Sequence, residues 1–283
     1  MNLLLLALAA QAVAPAPPAE TPGAAARSSD PASGEARFRE CLQLARTDAA
    51  RAVELANAWR LQGGGIEARQ CLGLAYVAQE RWESAGTVYE QAAQDAAAAR
   101  DVRVGDFWAQ AGNAWLAAGE PTRAIQALNA ALTAPGSSDE LKGEVHIDRA
   151  RALVALGNPA GAREDLDQAV RLVPADPFGW YLSAALARQT GDLARAGTDV
   201  ARAMELAPDD PNVVLLAGTL AGLNGDMTEA ERLYRRVVEL APESEAGRAA
   251  SASLATVREV EVPAAPGETR PPPAPPVSSP QSR

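Results

Sequence analysis

The chain has 283 residues and a formal net charge of -10. Ala, Leu, Arg and Glu are strong helix formers and dominate it, aromatic residues make up only 4%, and β-branched residues are sparse, so an all-helical chain is favoured over a sheet. The acidic balance argues against nucleic acid as a partner, because phosphate binding needs a basic face, and gives no attraction to anionic lipid; almost all the positive charge is arginine, with Lys142 the single lysine.

From the amino end, residues 2–14 read Asn-Leu-Leu-Leu-Leu-Ala-Leu-Ala-Ala-Gln-Ala-Val-Ala. The apolar run is too short to span a bilayer as a helix. It fits the h-region of a secretory signal, with small residues following. Ala10-Gln11-Ala12 offers a small-x-small cut before Val13, whereas a cut after Ala14 would leave Pro15 next to the scissile bond. The n-region carries no Lys or Arg, and the competing readings are an unstructured leader or an uncleaved anchor. No Cys follows the apolar run, so a lipoprotein is not suggested. Residues 1–14 are therefore expected to be a signal peptide. The mature chain is expected in the periplasm, with no stable membrane span once the signal is removed. Residues 15–35, rich in Pro, Ala, Gly and Ser, read as a disordered linker. At the other end, residues 259–283 include Pro271-Pro272-Pro273-Ala274-Pro275-Pro276, which cannot build helix or sheet. This end is either a flexible tail or a docking peptide for an aromatic groove.

Between the two ends the chain repeats itself. Pro174, Pro208 and Pro242 are spaced by 34, as are Gly157, Gly191 and Gly225, and Ala162, Ala196 and Ala230. Each period contains two helix signals. Asp176 and Asp210 precede Pro177 and Pro211, an N-cap followed by a proline at a position whose N–H would have no partner. That first helix runs to Gly191 or Gly225, where glycine closes it in the left-handed conformation. Asp192 and Asp226 then cap the second helix, and Asn158 with Pro159 opens its counterpart one period earlier. Small residues (Ala184, Gly218, Ala196, Ala230, Ala203) stand where two helices approach. Large ones (Trp180, Leu206, Tyr234, Leu240) are expected to fill the spaces between them.

The same pattern extends toward the amino end. Trp108-x-x-Ala111-Gly112-x-x-Trp115 is followed by Ala124, Leu128 and Ala131, and Arg69-x-x-Leu72-Gly73-x-x-Tyr76 by Ala85, Tyr89 and Ala92. His146-x-x-Arg149-Ala150 is followed by Ala162, Leu166, Ala169 and Pro174. The period and these motifs resemble the tetratricopeptide-repeat (TPR) family. The departures are Arg69 where Trp is usual, and Val237 where Ala is usual. The resemblance implies an all-α, right-handed superhelical solenoid over residues 36–258. It would comprise an N-terminal helical cap (36–62), repeats at about 66–99, 105–138, 143–176, 177–210 and 211–244, and a C-terminal capping helix (245–258). Arg100–Val104 and Asp139–Lys142 are expected to be joints.

The resemblance also implies a concave groove lined mainly by the first helix of each repeat. Carried onto this sequence, its positions are Gln70, Leu74 and Val77; Ala109, Asn113 and Leu116; Ile147, Arg151 and Val154; Tyr181, Ala185 and Arg188; Leu215, Thr219 and Gly222. That face is mainly apolar. The lysines with which some TPR domains clamp a carboxylate are missing, so the expected ligand is an apolar peptide or helix, held by an acidic contact to Arg151 or Arg188. The competing reading leaves both arginines as solvated surface. Cys41 and Cys71 fall on adjacent first helices. In an exported protein they suggest a disulfide, the alternative being two buried thiols.

No cofactor, metal or catalytic constellation is suggested. His146, the sole histidine, is taken as a packing residue. Asp165 with Asp167 reads as a solvated helix face, and Asp209 with Asp210 as capping. Gly63-Gly64-Gly65 lacks the Lys-Ser/Thr of a phosphate-binding turn, and Gly218-x3-Gly222 reads as close helix packing. The functional expectation is a non-catalytic scaffold that binds a protein or peptide. The alternative is a glycan-binding or enzyme-activating accessory subunit in envelope biogenesis, secretion or division.

Overall fold

The structure, a computed structural model, describes residues 31–261, with side chains described over 34–256. The expected signal peptide, most of the linker and nearly all of the Pro-rich end lie outside the described residues. Within them are thirteen helices: α1 (Pro31–Thr47), α2 (Ala49–Leu61), α3 (Gly65–Ala78), α4 (Trp82–Ala99), α5 (Val104–Ala117), α6 (Pro121–Thr133), α7 (Asp139–Ala155), α8 (Pro159–Leu172), α9 (Pro177–Gln189), α10 (Leu193–Leu206), α11 (Pro211–Leu223), α12 (Met227–Leu240) and α13 (Glu245–Glu261). Each helix packs on the next, and among the described residues the substantial contacts reach no further than one helix beyond it. This is a solenoid of antiparallel hairpins, with the odd-numbered helix first in each repeat.

The local chemistry sets the hairpin boundaries. Asp176 accepts from the N–H of Phe178, and Asp210 from those of Asn212 and Val213. Asn158, Asp192 and Asp226 each accept from the residue three further on, Gly161, Arg195 and Glu229. Such caps satisfy orphan donors and contribute about 1 kcal/mol each. Gly157, Gly191 and Gly225 take φ of +71°, +82° and +85°, a region that costs other residues roughly 1–2 kcal/mol.

Small against large then closes each hairpin. Ala150, Ala162, Ala184, Ala196 and Ala230 are buried at the crossings. At Gly112 an added Cβ would lie 2.5 Å from Leu128, so only glycine allows α5 to approach α6 this closely. Trp115 is fully buried; its indole N–H donates to Glu90 at 2.7 Å, and the Arg123 guanidinium lies 3.3 Å from the ring centroid. Trp59 covers Gly64, where a side chain would collide with the indole, and this seals the turn between α2 and α3. A disulfide joins Cys41 on α1 to Cys71 on α3, with Cα atoms 5.8 Å apart, and ties the front hairpin to the first repeat.

Three details differ from the sequence reading. The first helix starts at Pro31, inside the stretch expected to be linker. Asp139–Lys142 is not a joint but the first turn of α7: Ser138 accepts from the N–H of Leu141, and Asp139 and Glu140 favour that helix end through the macrodipole. Leu240, expected as filler, is 39% exposed at the end of α12, whereas Tyr234 is buried.

Candidate binding groove

The first helices of the five repeats, α3, α5, α7, α9 and α11, carry the expected groove residues. Gln70, Leu74, Val77, Leu116, Tyr181, Leu215 and Thr219 are half-buried, and Asn113, Arg151, Val154 and Arg188 are exposed. Val77 and Leu116 lean on the core, and the Thr219 hydroxyl donates to the Leu215 carbonyl within its own helix. Ile147 is not a groove residue. It is 3% exposed, and its side chain packs toward Gly179 at the joint between α7 and α9. Ala109, at the same position one repeat earlier, is also buried.

Between α7 and α9 the face opens into a crevice of about 220 Å³, lined by Ala150, Val154, Leu166, Leu182, Ala185 and Leu186, with Arg151 and Gln189 also contributing. Its walls are aliphatic, and Val154, 38% exposed, keeps an apolar surface in water.

Arg151 is not a free handle. Its Nη1 donates to Asp148 Oδ1 at 2.9 Å, and the Asn113 side chain of the neighbouring repeat also favours the ionised Asp148 carboxylate. Burial pushes the Asp148 carboxyl above its ordinary range, opposed by those two partners. Glu144, one turn earlier on α7, is raised as well. Partial desolvation is the main cause, followed by the charges of Asp148, Asp176 and Asp106. A carboxylate whose folded pKa is raised opposes folding when ionised, and this opposition disappears as it protonates. Glu144→Gln is therefore expected to raise the melting temperature at pH 7. It should have no effect near or below about pH 4, where the carboxyl is largely protonated in both states. Melting curves at the two pH values check this, and a lower melting temperature at pH 7 refutes it. Tyr181, stacked against Phe178 with centroids 6.2 Å apart, lies between opposite influences. Burial and the Asp210 charge raise its hydroxyl pKa, while Arg188 lowers it.

A polar seam runs behind the groove that the sequence reading did not anticipate. Asp165, expected on a solvated face, is 2% exposed. Both its oxygens accept from Arg149, Oδ2 from Nε at 2.8 Å, and His146 Nδ1 lies 2.8 Å from Oδ1. One repeat later Asp199, 4% exposed, accepts from the Ser183 hydroxyl and from Arg195 Nε at 3.2 Å. Arg163 donates to the hydroxyl and the carbonyl of Ser183, while Arg195 also reaches Asp167. The seam pins α8 to α9 and α10 with charge-assisted bonds where the repeat usually packs leucine. A signal was present: Arg149 and Ser183 both replace the motif leucine, one period apart, and Asp165 and Asp199 recur at the same spacing. His146 is thus a partner in this seam as well as a packing residue.

Among the described residues no group of three or more His, Cys, Asp or Glu could hold a metal ion, and no helix is long and apolar enough to cross a membrane. Stacked helical hairpins whose contacts run only to near neighbours, with one apolar face left open, define an α-solenoid of the interaction-repeat class. The family model of the tetratricopeptide repeat matches residues 147–211, from α7 to the start of α11. Residues 147–211 are thus tetratricopeptide repeats, and the hairpins on either side are built in the same form. The fold of the chain is similar to pilF of Pseudomonas aeruginosa (17% identity, TM-score 0.64), over 79% of this chain and 98% of that one. It is also similar to TTC0263, a thermophilic TPR protein of Thermus thermophilus (17% identity, TM-score 0.52, 69% of this chain and 100% of that one). A third similar structure is MamA (15% identity, TM-score 0.51, 64% and 94%). No curated protein matches the chain in sequence.

Proposed function

We propose that the chain is a non-catalytic scaffold that binds an apolar peptide or helix of a partner protein on its first-helix face, in the periplasm of a Gram-negative bacterium. The observation that carries this reading is the crevice between α7 and α9: aliphatic, open to solvent, and set in a face whose neighbouring repeats continue the apolar surface through Leu74, Leu116 and Leu215. A concave, mostly apolar surface with a few polar groups at its rim is the usual form of a binding site. The buried ionisable groups elsewhere, Asp165 and Asp199, are saturated by arginine and hydroxyl partners, so they serve packing and not acid–base chemistry. The Cys41–Cys71 bridge supports an oxidising compartment, in agreement with a cleaved leader.

The test is capture from envelope extract by the mature chain and by its Leu74→Asp, Val154→Asp variant. Val154 is exposed and Leu74 half-buried, and neither belongs to the buried core. Proteins retained only by the unmodified chain are the expected result. Equal retention by both would move the activity to the second-helix face or the chain ends.

A further inference from the structure

The groove is polarised across its width. Toward the N-terminal ends of the first helices stand Asp106 on α5, Glu144 on α7 and Asp176 at the cap of α9, with Asp148 one turn after Glu144 in the middle of α7. Asp210, at the cap of α11, continues the row and acts on Tyr181. Arg188 stands toward the C-terminal end of α9, close enough to act on Tyr181 with the opposite sign. Of the four carboxylates around Glu144, itself included, only Asp148 has a cationic partner, Arg151. Asp106, Glu144 and Asp176 are left without a cationic partner among the described residues, on α5, on α7 and at the cap of α9, and α7 and α9 carry the apolar crevice in their later turns. Helix-end electrostatics accounts for Asp106 and Asp176 but not for Glu144, which stands in the second turn of α7 and is repelled by its neighbours.

Resting on the groove reading above, we propose that the bound segment is cationic. It is an extended stretch of a partner protein whose aliphatic side chain enters the Val154–Leu182–Leu186 crevice, with a Lys or Arg against Asp106, Glu144 and Asp176. The spacing follows from the helix. Glu144 precedes Arg151, at the near edge of the crevice, by seven residues, a rise of about 10 Å, which an extended chain covers in about three residues. A ligand of the form aliphatic-x-x-basic therefore meets both features at once. An acidic ligand, as first expected from Arg151, would have to displace Asp148 from that guanidinium and approach three like charges.

The test uses the mature chain and two fluorescently labelled, capped peptide pools, Leu-x-x-Arg and Leu-x-x-Glu, with x drawn from Ala, Ser and Gly, in polarisation titrations. The basic pool is expected to bind about tenfold more tightly near 0.15 M salt, and the preference should shrink as salt rises. Asp106→Arg with Glu144→Arg, both at exposed positions, is expected to reverse the preference while leaving the far-UV circular dichroism unchanged. Ala185→Phe, which fills the crevice without changing charge, should abolish binding of either pool. Equal affinities, or a preference for the acidic pool that Ala185→Phe removes, overturns the charge assignment and leaves the groove reading standing. Capture of neither pool overturns both. Concentration-dependent self-association that the double arginine variant blocks would seat a second copy of this chain in the groove and likewise overturn the proposal.

Discussion

Replacing Cys41 and Cys71 by serine is expected to destabilise the front of the molecule by about 3–4 kcal/mol. This is the loop-closure entropy restored to an unfolded chain no longer cross-linked over a separation of 30 residues. The loss should be local. Contacts run only to near neighbours, so α1 and α2 can separate from α3 without disturbing the repeats behind them. Thermal melting followed by circular dichroism should change from one transition to two, an early one of small amplitude and a later one near the original temperature. Dithiothreitol should reproduce the result in the unmodified chain. One transition at an unchanged temperature would mean that Trp59, Leu72 and the alanines around them hold the front hairpin without the bridge.

The second large effect belongs to the polar seam. Asp165→Ala leaves Arg149 with Asn129 as its remaining side-chain partner and removes the acceptor of His146. Breaking a buried ion pair from one side costs about 3–5 kcal/mol. The Arg149 side chain is 25% exposed, so the lower end, about 3 kcal/mol, is expected, read as a shift in the urea midpoint. Replacing both partners, with Arg149→Leu and Asp165→Leu, should recover most of the loss, because a leucine pair restores apolar packing without a stranded charge. If the double variant were as unstable as the single one, the seam would be supplying specificity that packing cannot replace. The pH dependence has a definite sign. Burial pushes the Asp165 carboxyl up, but the hydrogen bonds and charges of Arg149 and His146 outweigh it, so the net pKa is lowered. Its contribution is complete above the unfolded carboxylate pKa of about 4 and is lost as pH falls through the lower folded value. Asp165→Asn should flatten that acid limb.

The fold was legible because its signals are local and repeated. A cap such as Asp210-Pro211 or a stop such as Gly225 acts through its own backbone and needs no distant partner. Recurrence at a fixed period turns several weak signals into one strong signal. The groove was legible only in part. Its face follows from the period, and Val154 and Leu74 do reach the surface there, but depth along the superhelix depends on how neighbouring first helices meet. Ile147 packs toward Gly179 of α9 and Ala109 joins the core cluster of the preceding hairpins, so the same repeat position is open in one repeat and closed in another. The partner of Arg151 was hidden for a similar reason. A carboxylate three residues earlier on a helix reads as a solvated pair until Asn113 of the neighbouring repeat and the burial of Asp148 are seen. Asp165 and Asp199 carried a readable signal in their spacing, but Arg149 and Ser183, which bind them, come from other helices, and for Asp165 charge alone suggested a solvated face.

The bridge between α1 and α3 also gives the molecule a mechanical asymmetry. At the front, tension passes through a covalent bond that no thermal force breaks, whereas among the described residues α13 is held to α11 and α12 by non-covalent contacts such as those of Ala246, Ala250 and Leu254. Stretched between its two ends, the solenoid should unravel from the back, hairpin by hairpin, each yielding separately because it rests only on its neighbours. The front would remain folded longest as a fixed anchor, and the molecule would lengthen in steps under load.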